Sequence, residues 1–245
     1  MPGRYCGPPT SANGGWVAGS LAHELGGTPR ATLGRAVVVT LHQPPPLDAT
    51  MRLRSAAAGI EATFGGALVA SATFVEDPAE PIEPVEGVSW GEAQAAATAY
   101  AGHRSHPFPT CFVCGVNRDD GLAIFPGAAP SSSSESRLAA PWVPDPTLRN
   151  DWHEYDESTP RTSLAAAWAA LDCVGGWAGG MAERVSVLGR MTAVVDELPV
   201  IGEQHVVTGE RRAVEGRKTF TAATLHDADG RIVGRAEHIW IAVER

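Results

Sequence analysis

An internal repeat constrains the fold of this chain more than any other feature of its sequence. A Leu-Gly-Arg tripeptide opens both the segment 33–75 and the segment 188–241, and alternating apolar stretches follow it in each. An Ala/Gly-rich segment with helical spacing precedes each copy, at 13–25 and at 163–176. Because a repeat of this size corresponds to one small structural unit, we expect two helix-plus-sheet units that pack as a pseudo-dimer.

Local patterns predict the helices and strands of each copy. Thr10, Ser11 and Asn13 are candidate N-caps of the first helix, which is expected to end at Gly26. An acidic, Pro-containing segment at 76–87 is expected to be an exposed linker. Helices are predicted at 13–25, 90–101 and 162–174, and strands at 34–42, 49–58, 66–75, 122–125, 137–143, 187–198, 203–213, 217–226 and 231–243.

Composition excludes several classes of partner. The 245-residue chain has a formal net charge of −9 and no cluster of Lys and Arg, so we expect no binding to nucleic acid. No apolar run approaches the roughly 20 residues that span a bilayer, and the N-terminus lacks the apolar core of a signal peptide. We therefore expect no membrane association and a cytoplasmic location. The four cysteines are too few for a disulfide framework and are expected to be thiols.

Each copy combines one small helix with an antiparallel sheet, which is the layout of the hotdog fold. The predicted fold class is α+β, a double hotdog in which two tandem helix-plus-antiparallel-sheet units form a pseudo-dimer. The expected domains are an N-terminal hotdog repeat with its linker at 1–102 and a C-terminal hotdog repeat at 103–245. A homodimer of the whole chain is also compatible with the sequence.

Several short motifs carry a resemblance to a known family. They are Cys-Phe-Val-Cys-Gly at 111–115 with Gly-Leu at 121–122, Ala-Leu-Asp at 170–172 and Asn-Gly-Gly at 13–15. They resemble the CxxCG…GL opening, the segment with the catalytic Asp and the helix-opening His-Gly-Gly of the hotdog-fold thioesterase superfamily. The chain is most similar to double-hotdog proteins of the acyl-CoA thioesterase II type, whose last-strand Gln corresponds to His238 here. The resemblance implies an acyl-CoA hydrolase that needs no cofactor.

Thioester hydrolysis requires a carboxylate and donors that stabilise the oxyanion. Asp172 is expected to act as the base or the nucleophile. The N–H groups at a helix N-terminus suit an oxyanion, and Gly14 and Gly15 leave room for a substrate carbonyl. Because the two helices of a hotdog dimer lie antiparallel, the turn at Asn13 is expected to face Asp172, and the resemblance implies that His238 completes the site.

The repeat also predicts a mirror-image site that has lost its chemistry. At that end Ser-Leu-Ala at 163–165 opens the helix, and Ala22 takes the place of the carboxylate. This end has neither the two glycines nor the acidic group, so we expect only one of the two pseudo-equivalent sites to be active.

Structural roles for the same residues stay open. Asp172 could cap a turn or pair with Arg190, because a buried charge needs a partner. Asn13 could be only an N-cap, and His238 could be only a hydrogen-bonded strand residue.

A zinc site is a further alternative for the CxxC segment. Cys111 and Cys114 could bind zinc together with His103 and His106. The two histidines are unusually close in sequence and no second CxxC follows, so no metal is expected.

Two other functions are compatible with the sequence. A non-catalytic protein would bind acyl-CoA or a related thioester without turnover. A hydratase or dehydratase would use a histidine with an acidic residue, and His106 followed by Pro107 superficially resembles a dehydratase motif. The sequence does not specify the acyl chain.

Overall fold

A computed structural model describes residues 1–75, 81–129, 136–149 and 159–243. These residues form one ten-stranded antiparallel sheet with helices packed against it. The strand order is β2-β3-β4-β1-β7-β10-β9-β8-β6-β5. The strands are β1 Val37–Leu41, β2 Arg52–Ala56, β3 Gly59–Phe64, β4 Ala67–Phe74, β5 Gly127–Ala128, β6 Leu138–Trp142, β7 Ser186–Val195, β8 His205–Glu215, β9 Lys218–His226 and β10 Ile232–Ala242. The helices are α1 Gly14–Gly26, α2 Pro29–Thr32, α3 Trp90–Thr98 and α4 Leu164–Ala178, with 3-10 turns at Gly3–Tyr5, Ala101–His103 and Pro146–Leu148.

The two halves of the sheet meet at a single seam. Strands β1 to β4 come from the first repeat, and β7 joins β1 in antiparallel register, with Val37 opposite Ala193 and Val39 opposite Met191. Because all four of these residues are apolar and almost fully buried, the seam is part of the core. The predicted continuous antiparallel surface made by the two repeats is therefore present.

Helices α1 and α4 pack against each other in antiparallel directions, and glycines set their separation. A Cβ placed on Gly15 would meet Ala169 Cα at 3.0 Å, and one placed on Gly19 would meet Ala165 Cα at 2.7 Å. Asn13 and Ser163 are the N-caps of α1 and α4. When the two helices are aligned on these caps, the contact of Gly15 with Ala169 corresponds to the contact of Ala165 with Gly19. The helix pair is thus pseudo-symmetric, and each contact leaves no space for a side chain on the glycine.

Two predicted strands differ from the structure. The predicted strand 49–58 is shorter, because the chain turns back at Ala57 and Ala58 after β2, and β2 pairs with the unpredicted β3. The predicted strand 122–125 is wrong. Leu122 and Ile124 donate to the carbonyls of Phe112 and Val113, but Ala123 has φ +53°, a left-handed conformation that cannot continue a strand.

Helix α4 continues four residues beyond its predicted end at 174. Gly175 and Gly176, which follow the predicted end, are helical. A Cβ on Gly175 would meet His238 Nδ1 at 2.7 Å, and one on Gly176 would meet the Trp240 ring at 2.9 Å. Close packing on β10, and not helix termination, explains both residues.

The linker segment is partly buried, contrary to the prediction for 76–87. Residues 76–80 lie outside the described residues, but Val85 is fully buried, and its N–H donates to Thr224 Oγ1 on β9 at 2.7 Å. Arg137 on the C-terminal side pairs with Glu86 at 2.6 Å, and α3 packs on β5 and β6. This segment therefore packs against strands from the second half of the chain, while the domain boundary at residue 102 stays a prediction.

Membrane-spanning helices are absent from the described part of the chain, because none of its helices is long and apolar enough to cross a bilayer.

Candidate active site

The structure places Asp172 of α4 against the N-terminus of α1. Asn13 Nδ2 and the Gly15 N–H both donate to Asp172 Oδ2, each at 2.9 Å. Asn13 is also the N-cap, since its Oδ1 accepts from the Trp16 N–H at 2.8 Å. The amide therefore has two functions: its oxygen caps α1, and its nitrogen holds the carboxylate.

Burial controls the protonation of Asp172. The side chain is 1% exposed, and desolvation raises its pKa to about 7, although the hydrogen bonds from Gly15 and Asn13 oppose the shift. Its Oδ1 has no hydrogen-bond partner among the described residues. The carboxyl group thus has one oxygen held in place and the other without a partner, and its pKa lies near neutral pH, where a general base would have to exchange its proton.

The two glycines at the start of α1 have different surroundings. A Cβ on Gly15 would lie 2.4 Å from Asp172 Cβ, so a side chain there would displace the carboxylate. The Gly15 N–H already donates to Asp172, whereas the Gly14 N–H makes no hydrogen bond to any residue in the described ranges. Gly14 also lines a cavity, and Gly15 does not. The donor that remains for an oxyanion is therefore Gly14.

The cavity at this position has a volume of about 490 Å³ and is mostly apolar. Asp172, Asn13 and Gly14 lie on its wall together with three cysteines. Its larger apolar lining residues are Leu41, Phe108, Met181, Leu188, Trp240 and Ile241. A pocket of this size, with a few polar groups converging on one end, is the usual form of a small-molecule site.

His238 is buried outside this cavity, as far as the described residues define it. It lies on β10 below α4, next to Gly175, and its Nδ1 is 3.1 Å from Thr221 Oγ1, which also accepts from the Trp240 indole N–H. Burial lowers the pKa of His238 to about 4. The structure therefore does not bring His238 together with Asn13, Gly14 and Asp172, and its contacts are those of a neutral core histidine.

Three cysteine thiols form a cluster beside Asp172. Cys111, Cys114 and Cys173 are buried, and their sulfur atoms all lie within 4.8 Å of one another. Asn13 Nδ2 lies 3.9 Å from Cys111 Sγ and 3.8 Å from Cys173 Sγ. Sequence reasoning missed Cys173. The available signal was its position directly after Asp172 in the same helix.

The mirror-image end of the helix pair has a helix cap but no buried acidic group in the described residues. Ser163 Oγ accepts from the Ala166 N–H, as Asn13 Oδ1 accepts from Trp16. Ala22, at the position that matches Asp172, is completely buried. This end of the helix pair therefore has an apolar residue where the other end has a carboxylate.

Comparisons with known proteins support the architecture. No family model matches the sequence, and no curated protein does. A TesB protein of Mycobacterium avium subsp. paratuberculosis superposes with a TM-score of 0.55 at 11% identity, covering 97% of this chain and 89% of that one. The acyl-CoA thioesterase II TesB2 of Mycobacterium marinum gives 0.56 at 11% identity, with 96% and 90% covered. A hot dog fold protein of Alicyclobacillus acidocaldarius gives 0.54 at 10% identity, with 100% and 92% covered.

The chain has the double hotdog fold. The matches extend over nearly the whole chain and over about nine-tenths of each solved structure, so both repeats are included. The predicted fold class is confirmed. In this double hotdog the helix pair carries one buried carboxylate, and that carboxylate lies at the N-terminus of the opposite helix.

Proposed function

We propose that this double hotdog protein hydrolyses acyl-CoA or a related thioester in the cavity beside Asp172. One observation carries the proposal. Asp172 lies on the wall of an apolar cavity, its Oδ1 has no partner among the described residues, and its Oδ2 is fixed by Asn13 and Gly15 from the other repeat. A fixed carboxylate next to a helix N-terminus is what attack on a thioester carbonyl requires.

Each group at the site has a distinct task in this reaction. Asp172 Oδ1 either removes a proton from the attacking water or attacks the carbonyl carbon itself. The Gly14 N–H, at the positive end of α1, donates to the oxygen that becomes negative as the tetrahedral centre forms. Asn13 and Gly15 position the carboxylate, and the carbon–sulfur bond then breaks to release the thiol.

The contacts of His106 favour hydrolysis over hydration. A dehydratase histidine must have a ring nitrogen available to the substrate. His106 Nε2 lies 3.0 Å from the Cys114 carbonyl, and its Nδ1 accepts from the Phe108 N–H at 2.9 Å. Both nitrogens are therefore used in holding the CxxC loop, and the dehydratase alternative lacks its acid–base group.

Substitution of Asp172 by the isosteric amide tests the proposal. Asp172→Asn should keep the fold, because the amide oxygen can accept from Asn13 and Gly15. It should lower kcat by at least about a hundredfold, the scale for loss of a general base. Hydrolysis is measured over a panel of acyl-CoA chain lengths, with Asp229→Asn in an exposed turn as the matched control. A folded Asp172→Asn protein as active as the wild type contradicts the proposal.

A non-catalytic acyl-CoA-binding protein gives a different result in the same assay. The wild type would then bind acyl-CoA without turning over any member of the panel, and Asp172→Asn would bind equally well. If hydrolysis is observed, a single turnover in H₂¹⁸O tests for a nucleophilic Asp172. Label in the Asp172 side chain identifies a nucleophile, because water has then cleaved an acyl–Asp172 anhydride at the Asp172 carbon, a step that general-base catalysis does not include.

A further inference from the structure

We propose that Cys111, Cys114 and Cys173 together bind one soft divalent cation of the zinc class. The three sulfur atoms lie within 4.8 Å of one another, and Cys111 Sγ is 3.7 Å from Cys173 Sγ. Two thiolates each about 2.3 Å from one tetrahedral zinc ion are separated by roughly 3.8 Å. The sulfur positions thus need only small shifts to bind such an ion. This proposal replaces the sequence-based expectation of no metal, which did not include Cys173.

The CxxCG loop turns back on itself at Cys111. The Gly115 N–H donates to the Cys111 carbonyl at 2.9 Å, and a Cβ on Gly115 would lie 2.5 Å from that oxygen. Only glycine fits this turn. The turn holds the Cys111 and Cys114 sulfur atoms within 4.8 Å of each other.

The histidines considered with the CxxC motif do not belong to the donor set. His106 uses both ring nitrogens in the contacts described above, and His103 packs edge-on against Tyr100 and Phe125. The third donor comes instead from α4, which carries Cys173 against the loop. Three thiolates favour zinc over magnesium or calcium, which prefer oxygen ligands.

The fourth coordination position faces the cavity. All three cysteines line the cavity that contains Asp172, and three protein ligands with one open position are typical of zinc sites that bind water or a substrate. Asn13 Nδ2 lies within 4 Å of the Cys111 and Cys173 sulfurs. One of its hydrogens is donated to Asp172, so the other can donate to one of these sulfurs as an outer-shell group. The inference concerns metal binding alone and does not depend on thioester hydrolysis.

The test is the metal content of chain purified under reducing conditions without chelator. We expect about one zinc per chain in the wild type and in Cys6→Ala, and at least a tenfold loss of zinc in Cys173→Ala. Cys6 is the matched control because it is buried but lies outside the cluster, with its thiol donating to the Thr110 carbonyl. Metal retained in full by a folded Cys173→Ala protein overturns the three-cysteine site.

Cobalt binding to the wild type gives a second measurement that does not rely on a variant's folding. Co²⁺ added to metal-free, reduced protein should give a tetrahedral spectrum with thiolate-to-metal charge transfer at the intensity of three thiolates. A chain that is isolated without metal and takes up neither Zn²⁺ nor Co²⁺ contradicts the proposal. Close cysteines can also form a disulfide, which thiol counting in denatured protein detects. A disulfide within the cluster of freshly isolated protein also overturns the proposal.

Discussion

The two ends of the α1–α4 helix pair share a geometry and differ in chemistry. At one end Asn13 caps α1 and holds Asp172, and at the other Ser163 caps α4 opposite Ala22. Both helices begin with the same kind of side-chain cap, so the cap is a property of the fold. The carboxylate and the amide that holds it are properties of one end only. The repeated scaffold therefore keeps its shape in both copies, while only one end of the helix pair has a buried carboxylate.

The two repeats also differ in how they are buried. Every residue of α4 is buried, whereas α1 has several partly exposed positions and β2 is exposed along its whole length. Strands β7 to β10 have 9 to 11 residues and wrap α4, while β1 to β4 have 5 to 8. The second repeat therefore provides most of the core around the carboxylate, and the first contributes the helix end that completes the site.

Moving the carboxylate to the mirror-image end should fail, with the largest expected effect on stability. Ala22→Asp, made in the Asp172→Asn background, places a charge at a fully buried position, and the helix start at that end has Leu164 and Ala165 in place of the two glycines. An uncompensated buried charge costs about 3–5 kcal/mol, and hydrolysis should not return. Urea unfolding and the acyl-CoA assay check both. Recovered activity would show that the two ends are equivalent.

Acid should destabilise the second repeat through its buried histidines. His205, His226 and His238 all have pKa values lowered by burial, and that of His238 falls to about 4, whereas the first-repeat histidines are not buried. At these histidines the unfolded chain binds more protons between pH 4 and 6.5, so their contribution to stability is full above pH 6.5 and is lost as the pH falls. His238 alone accounts for about 3 kcal/mol.

The measurement for this pH effect is urea unfolding of wild type and His238→Gln between pH 4 and 7. The free energy of unfolding of the wild type should fall more steeply with acid, and the difference between the two proteins isolates His238 from the carboxylates that titrate in the same range. Parallel curves would mean that His238 is not held neutral in the core.

A methyl group at the second position of α1 should disturb the site, and one at the matching position of α3 should not. Gly15→Ala places a Cβ against Asp172 and the Trp168 carbonyl, an overpacking that costs about 2 kcal/mol and displaces the carboxylate. Gly91→Ala meets nothing within 4 Å and should gain up to about 1 kcal/mol from helix propensity. Thermal unfolding and kcat are compared for both, and equal behaviour of the two variants contradicts the close contact at Gly15.

Substitutions at the two N-caps should give the smallest effects. They distinguish capping of a helix from positioning of Asp172. Asn13→Ser keeps an oxygen for the Trp16 N–H but removes the donor to Asp172, so kcat should fall about tenfold while stability changes by about 1 kcal/mol. Ser163→Ala should lose about 1 kcal/mol of stability with kcat unchanged. If both variants affect kcat equally, Asn13 is only a cap.

The sequence alone determined the repeat, the helix starts and the meeting of Asn13 with Asp172. Caps and alternating apolar positions depend on near neighbours in the chain, and the repeat predicted which helix end faces Asp172. The extension of α4 through Gly175 and Gly176 was not predicted, because a glycine that ends a helix and one that allows close packing are the same residue in sequence. Ala123 likewise carries no local mark of its left-handed conformation.

Tertiary structure decided what the seam and the cavity bring together. The approach of Cys173 to Cys111, the engagement of the Gly15 N–H by Asp172 and the separation of His238 from the cavity all join segments far apart in the chain. Such contacts depend on the distance between packed elements and on which face of a strand meets a helix. A sequence pattern indicates which residues share one face of a helix or strand. Packing of the whole core determines which other element that face contacts.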